Sequence, residues 1–423
     1  MKLALTTSIV LALSSAVSAA VVSLPITTFR NPEHLNAQSL TRRYLQKRAS
    51  ITSPLTNIEQ DLIYTIPFSL GTPPQSFNVI IDTGSPVTWV ASNTCNTSGC
   101  LKTKKFNCAA SSTCKSLNTP FSASYVSGQG VSGDYVADVY TIGSLQFRGA
   151  AGIVNVDNAE LPDTIDGIMG LWYYAQGSTV PILNVLKNTT ALDENIIGVY
   201  LEPSATSVNA PGGEITFGGV NTARFSGSIT YSNCLPGRPW TIPLNSVAVN
   251  GKAVSIPTGV KATIDTGTTA MLMPKTAADA INSAIPGAVR APNAENLWFL
   301  PCSGSTPVTF TFGQFTATIP YKDFAMQTTA QRTLAGVYCQ SVAMFPVGPM
   351  TSIDEWLIGD ALLKNVYSVF DFENNASNGG RIGFATLGSG GTHDVISSGS
   401  ALRLSSLSLV QGVVAIALAM LVM

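Results

Sequence analysis

Histidine is nearly absent from this chain: 423 residues hold two, His34 and His393, both outside the long stretch that carries the strand pattern. A Ser-His-Asp triad, a Cys-His dyad and a His-ligated zinc site each need an imidazole, so all three are excluded there. Charge is scarce too. Lys, Arg, Asp and Glu make up 11% of residues, where about 25% is usual. With 45% apolar residues and 36 glycines, the composition fits neither a disordered chain nor a nucleic-acid binder. The formal net charge of -1 hides an asymmetry: residues 1–48 carry six Lys or Arg against one acid, Glu33, and the remainder carries a net of -6. The length leaves room for two domains plus processing segments. No metal or cofactor motif stands out, and none is expected.

Both ends read as addresses. Lys2, the apolar run Leu3 to Leu13 and the small residues Val17-Ser18-Ala19 predict a secretory signal peptide over 1–19. Residues 20–48 form a basic pro-segment that contains Arg42-Arg43 and finishes in the dibasic pair Lys47-Arg48, so the mature chain is expected to start near Ala49. Leu407 to Met423 is an apolar run of about 17 residues, at the lower limit for a spanning helix and without a basic flank. A polar spacer, Ser400 to Ser406, and the small residues Ser397-Ser398-Gly399 precede it. This order predicts a glycosylphosphatidylinositol (GPI) attachment signal over 399–423, removed in the mature protein, behind a linker over 388–398. A single-pass tail anchor is the competing reading. The expected location is extracellular, at the cell surface or wall, tethered to the plasma membrane through lipid.

Between the ends, short apolar runs separated by Gly, Pro, Asn and Ser predict strands, among them Tyr64 to Leu70, Phe77 to Ile81, Val87 to Val90 and Ile215 to Phe217. Helices are expected only at Val180 to Lys187, Lys275 to Ile285 and Ala361 to Asn365. The stretch also repeats itself. Ile81-Asp82-Thr83-Gly84-Ser85 returns 183 residues later as Ile264-Asp265-Thr266-Gly267-Thr268. Tyr64-Thr65-Ile66-Pro67 and Trp240-Thr241-Ile242-Pro243 stand ahead of the two copies, and Ile168-Met169-Gly170 and Leu357-Ile358-Gly359 stand behind them. One Asp-Thr-Gly is a common turn. Two copies with the same three elements in the same order are not a coincidence of turns.

With these motifs the chain resembles the pepsin-like aspartic proteases over nearly all of residues 60–387. Trp89 stands seven residues past Asp82, Tyr125 lies within Ser124-Tyr125-Val126-Ser127-Gly128, and Asp166-Gly167-Ile168-Met169-Gly170-Leu171 follows. The second half adds Gly218-Gly219-Val220, Trp356-Leu357-Ile358-Gly359-Asp360 and Val369-Phe370-Asp371. The resemblance implies an all-β fold of two lobes, expected over 49–225 and 226–387, each giving one Asp loop to a cleft that holds an extended peptide. It implies an endopeptidase of secreted, fungal type, made as a zymogen and active in acid, with peptide or protein substrates and its own basic propeptide as the partner before activation. A monomer is expected.

Hydrolysing an amide without metal or imidazole needs one group to take a proton from water and another to give one to the carbonyl oxygen. Two carboxylates sharing a proton can do both. Like charges held close cannot both ionise, and pepsin is the standard example of such a split titration. The resemblance assigns this work to Asp82 and Asp265. Gly84 and Gly267 let backbone amides approach, Ser85 and Thr268 bond the outer oxygens, and Thr83 and Thr266 brace the loops against each other. Tyr125 matches the flap tyrosine and Trp89 its partner, with Ser127 and Gly128 at the flap tip and Ile80, Ile165 and Ile168 walling an apolar pocket. Ser127 stands where some fungal members carry an Asp associated with accepting Lys before the cut, so large apolar residues are expected there instead.

Seven cysteines in a secreted chain imply disulfides with one thiol left over. The four clustered cysteines allow three connectivities. The resemblance favours Cys95-Cys100 and Cys302-Cys339, with Cys108-Cys114 as an extra loop closure and Cys234 free and buried. Asn96, Asn188 and Asn375 open glycosylation sequons. Two other functions compete with this one. A non-catalytic binding or inhibitor protein of the same fold would be expected to have a damaged dyad, yet both Asp-Thr-Gly motifs are intact. A wall adhesin would carry long Ser/Thr/Pro stalks, which the sequence does not have.

Overall fold

The computed structural model describes residues 50–125, 129–159, 161–173, 181–189, 191–204, 209–291, 294, 296–333, 336–346, 354–373 and 380–388. The expected signal peptide, pro-segment, lipid-attachment signal and all of the linker after Gly388 lie outside the described residues, as do Val126, Ser127, Gly128 and Asn375. Among the described residues, no helix is long and apolar enough to cross a membrane.

The architecture is all-β. The strand Ile51–Ile58 shows why: Ile51, Ser53 and Leu55 are buried while Thr52 and Pro54 are exposed, the two-residue period of a sheet with one wet face. It pairs antiparallel with Asn209–Phe217 on one side and Ile63–Leu70 on the other, and the latter pairs with Gln75–Asp82. These belong to one large sheet that runs on through Gly167–Gly170, Trp89–Ser92, Leu145–Asp157, Gly130–Ile142 and Lys115–Ser124. At its other end the same sheet takes in Ile196–Leu201, Tyr367–Asp371, Arg381–Leu387 and Phe225–Asn233. Strands from both halves of the repeat therefore share a sheet. Three smaller sheets hold the strands between Thr241 and Ile358.

Helices fall close to their expected places, with shifted ends. The first covers Ile182–Thr189 and so runs two residues past its expected end at Lys187; the amides of Asn184 and Val185 reach back to the carbonyl of Pro181, and the expected start at Val180 lies outside the described residues. The second, Lys275–Ser283, stops two residues early, and the third is Asp360–Leu363. A four-residue helix at Tyr321–Phe324 was not expected, since one turn after a proline is too short to show a period. The expected strand at Val87 starts only at Trp89, because the loop after Asp82 and Pro86 keep residues 83–88 out of the ladder.

Burial divides the apolar residues into groups. One continuous core reaches both halves and includes Ile81, Met169, Ile264, Met271 and Ile358. A second group holds Ile80, Trp89, Phe121, Tyr125, Ile165 and Ile168, and a small third one holds Ala270, Leu272 and Met344 with the partly buried Leu297 and Leu357.

Candidate active site

The strand Gln75–Asp82 runs parallel to Gly167–Gly170, with Asp82 opposite Gly170 at its end. The second half repeats the arrangement: Lys261–Ile264 runs parallel to Glu355–Ile358, and the Asp265 amide donates to the Ile358 carbonyl at 2.9 Å. Glycine closes each supporting strand for a steric reason. A Cβ at Gly359 would lie 2.0 Å from the Thr268 carbonyl oxygen, and one at Gly170 would lie 2.5 Å from the Val87 nitrogen. The two loops can pack on their supports only if those positions lack a side chain.

The two aspartates are fully buried. The Gly84 amide donates to Asp82 Oδ1 at 2.9 Å and to Asp265 Oδ1 at 3.1 Å, and the Gly267 amide donates to Asp265 Oδ1 at 2.8 Å. On the outer oxygens, Ser85 Oγ donates to Asp82 Oδ2, and Thr268 Oγ1 donates to Asp265 Oδ2 at 2.6 Å. Beneath them the threonines cross over. Thr83 Oγ1 accepts from the Thr266 amide at 3.0 Å and donates to the Ile264 carbonyl at 2.9 Å. Thr266 Oγ1 accepts from the Thr83 amide at 3.1 Å and donates to the Ile81 carbonyl at 2.8 Å. Burial raises the pKa of both carboxyls. Asp82 rises well above the ordinary range, because the negative charge of Asp265 adds to its burial, while hydrogen bonds from Ser85 and Gly84 offset part of the rise. In Asp265 the hydrogen bonds from Thr268 and Gly267 oppose the effect of burial more fully.

The antiparallel strands Lys115–Ser124 and Gly130–Ile142 carry Tyr125 to this site. The Tyr125 amide donates to the Gln129 carbonyl at 2.9 Å, and Trp89 Nε1 donates to Tyr125 OH at 2.6 Å. Burial and the charge of Asp82 push the Tyr125 phenol well above its usual pKa. Ile80, Ile165 and Ile168 pack in the same group as Trp89 and Tyr125. The cysteines pair as Cys95-Cys100, Cys108-Cys114 and Cys302-Cys339. Cys234 is a free buried thiol whose pKa burial pushes up to about 12, so it is inert. Asn96 and Asn188 are exposed.

A family model described as eukaryotic aspartyl protease matches residues 63–387. The chain belongs to that family. The chain is 31% identical to a probable aspartic-type endopeptidase CTSD of Arthroderma benhamiae over 354 residues, which is 82% of this chain and 65% of the relative, so the match spans just under two thirds of that protein's length. It is also 31% identical to the aspartic-type endopeptidase ctsD of Aspergillus fumigatus, covering 79% of this chain and 68% of the relative. An embryonic pepsinogen of Gallus gallus is 31% identical over 79% of this chain and 83% of its own. The all-β architecture is thus the two-lobed pepsin-like fold of the family.

Beside Asp82 and Asp265 lies a further buried carboxyl, Asp360, that the sequence motifs did not single out. The Asp360 amide donates to the Thr268 carbonyl at 2.7 Å, so this residue backs the second Asp loop. Its carboxyl is fully buried, Oδ1 has no hydrogen-bond partner, and burial together with the charge of Asp265 raises its pKa well above the usual range. One turn on, Lys364 Nζ bonds Asp61 Oδ2 at 2.9 Å and lies 3.4 Å from Asp323 Oδ1. Burial works against the lysine charge, yet those two carboxylates hold its pKa above the ordinary value. The repeat did contain the signal. Leu171 follows Gly170, while Asp360 follows Gly359 and so sets a charge in an apolar slot.

Proposed function

We propose that this chain is an acid endopeptidase whose catalytic residues are Asp82 and Asp265. The observation that carries the reading is the Gly84 amide, which bonds the inner oxygens of both carboxyls at once. Two acids held so close in a buried site share one proton, and their titration belongs to the pair. The ionised member takes a proton from water as its oxygen attacks the peptide carbonyl, and the protonated member gives its proton to the carbonyl oxygen. Collapse of that intermediate transfers a proton to the amide nitrogen, the C–N bond breaks and the amine leaves. Ser85, Thr268 and the two glycine amides hold the carboxyls in place, and Thr83 and Thr266 brace the loops. Tyr125, with Ser127 and Gly128, covers the substrate, and Ile80, Ile165 and Ile168 favour a large apolar residue before the cut. The test is peptide hydrolysis near pH 4 with and without a statine-type transition-state analogue. Turnover that the analogue abolishes supports the reading, and turnover indifferent to it contradicts it.

In this reading the enzyme is a secreted monomer with lobes over 49–225 and 226–387, and it is made with a basic propeptide that occupies the acidic cleft until carboxylates protonate. Maturation at Lys47-Arg48 is supported by the first strand, which begins at Ile51, three residues beyond Arg48. N-terminal sequencing of the mature protein should begin at or near Ala49. Glycans on Asn96, Asn188 and Asn375 and a lipid tether near Ser398 complete the proposal. The tether rests on Ser397-Ser398-Gly399, the polar spacer and the apolar run after it. A phosphatidylinositol-specific phospholipase should release activity from intact cells, and a mature peptide containing Ala415 to Met423 would contradict the tether.

A further inference from the structure

Tyr64-Thr65-Ile66-Pro67 and Trp240-Thr241-Ile242-Pro243 stand at the same place in the repeat, yet their aromatic residues use their polar atoms differently. Tyr64 stays within its own half, where its hydroxyl lies 3.5 Å from both Asp61 Oδ1 and Asn57 Nδ2. Trp240 crosses to the other half. Its indole Nε1 donates to the Leu171 carbonyl at 2.9 Å, and both groups are buried. The Leu171 amide donates in turn to the carbonyl of Asp82 at 2.7 Å, so the indole is one peptide away from the backbone of the first acid. On its own side, the Trp240 carbonyl accepts from the amide of Ile264, the residue before Asp265, at 2.9 Å. The second acid is held differently. The amide of Asp360, which follows Gly359 as Leu171 follows Gly170, goes to the Thr268 carbonyl and not to that of Asp265.

The backbone of Trp240 lies at φ +57°, in the left-handed region that a bulky side chain rarely adopts. It closes a turn in which the Leu235 amide donates to the Thr241 carbonyl at 2.8 Å. A residue kept there is fixed by its surroundings. The ring is fully buried, edge-on to Phe370 with centroids 5.2 Å apart and 6.4 Å from the Tyr173 ring, and a Cβ at Gly380 would lie 3.3 Å from it.

We propose that Trp240 is a positioning residue that sets the separation of the two catalytic carboxyls, by tying the peptide that holds Asp82 to the strand that carries Asp265. This rests on the endopeptidase reading above. Thr83 and Thr266 join the loops themselves, whereas Trp240 joins the residue after the first loop's support to the strand ahead of the second loop. Without the indole, the Leu171 carbonyl is a buried acceptor that has lost a donor. Its peptide shifts to find another, and the Asp82 backbone shifts with it.

The test is Trp240→Phe, which keeps an aromatic ring and removes the N–H. At an effective dielectric of about 20, moving two like charges from about 3 to about 4 Å apart narrows the gap between their apparent pKa values by about one unit. The pH profile of kcat/KM should narrow by about that much, and kcat should fall about 10-fold with KM held within about twofold. Asp360 and Tyr125, the other titratable groups set against the pair, are unchanged in the variant. Phe370→Leu removes the edge contact and leaves the hydrogen bonds, so it should lower Tm without changing the width of the profile. Trp240→Tyr, which fills more of the space and also lacks the N–H, takes the same measurements should Trp240→Phe not fold.

Melting reads the same separation without turnover. Carboxyls set further apart repel less, so the upper pKa of the pair falls toward the ordinary value and less stability is lost as pH rises through it. The Tm loss in the Trp240 variant should therefore be larger at pH 4 than at pH 7, and that in Phe370→Leu equal at the two. A Trp240 variant whose profile is as wide as that of the wild type, with a Tm loss that does not change with pH, overturns the assignment. Wild-type protein that hydrolyses no peptide, together with a pH-dependent Tm loss in Trp240→Phe, would strike at the endopeptidase reading alone.

Discussion

The amide of Gly84, in the first Asp loop, lies 3.1 Å from Asp265 Oδ1 in the second. The approach leaves no room for a side chain on either loop: a Cβ at Gly84 would sit 2.6 Å from the Asp265 carboxyl, and one at Gly267 would sit 2.4 Å from Asp82 Oδ1. Each half of the repeat thus presses its glycine against the other half's acid, and the pair of carboxyls exists only because both positions are glycine.

Gly84→Ala and Gly267→Ala should each therefore displace a carboxyl and lower kcat at least about 100-fold, the usual effect of a misplacement near 1 Å. Circular dichroism should show the fold retained. Near-normal kcat in either variant would mean that the close approach does not matter.

The crossed threonines make a separate prediction about stability. Each hydroxyl is buried and serves two backbone groups of the opposite loop or the strand before it. Thr83→Val or Thr266→Val keeps the shape and strands those groups, at a cost of about 2 kcal/mol each. Denaturant unfolding measures it, and a loss below about 0.5 kcal/mol in both variants would contradict the bracing role.

Much of this was legible because the chain repeats itself. Asp82, Asp265 and the residues around them could be read from two short motifs whose order was kept, since close backbone approach demands glycine and loop bracing demands threonine at fixed offsets. Asp360 and Lys364 were not read that way. A buried charge is set by what packs on it, and Asp61 and Asp323 come from distant parts of the sequence. The shared large sheet was hidden for a similar reason, because strands such as Phe225–Asn233 announce their period but not their partner. The helix Tyr321–Phe324 was too short to announce anything.

Asp82, Asp265 and Asp360 have carboxyl pKa values raised above those of an unfolded chain, chiefly by burial. Groups of that kind stabilise the fold fully below the unfolded value, about 4, and lose that contribution as pH rises through the folded value. The protein should lose melting temperature between pH 4 and pH 7. Asp360→Asn keeps the shape without the charge, so it should raise Tm more at pH 7 than at pH 4. An equal shift at the two pH values would show that Asp360 does not titrate against folding.

The most direct measurement is peptide hydrolysis across pH by the mature wild type and by Asp82→Asn and Asp265→Asn proteins. Wild type should turn over in acid and fall away toward neutral pH. Each variant should stay folded and lose at least about 1,000-fold in kcat, as expected when one member of an acid–base pair is removed. Either variant retaining near-wild-type turnover would contradict the two-carboxyl account.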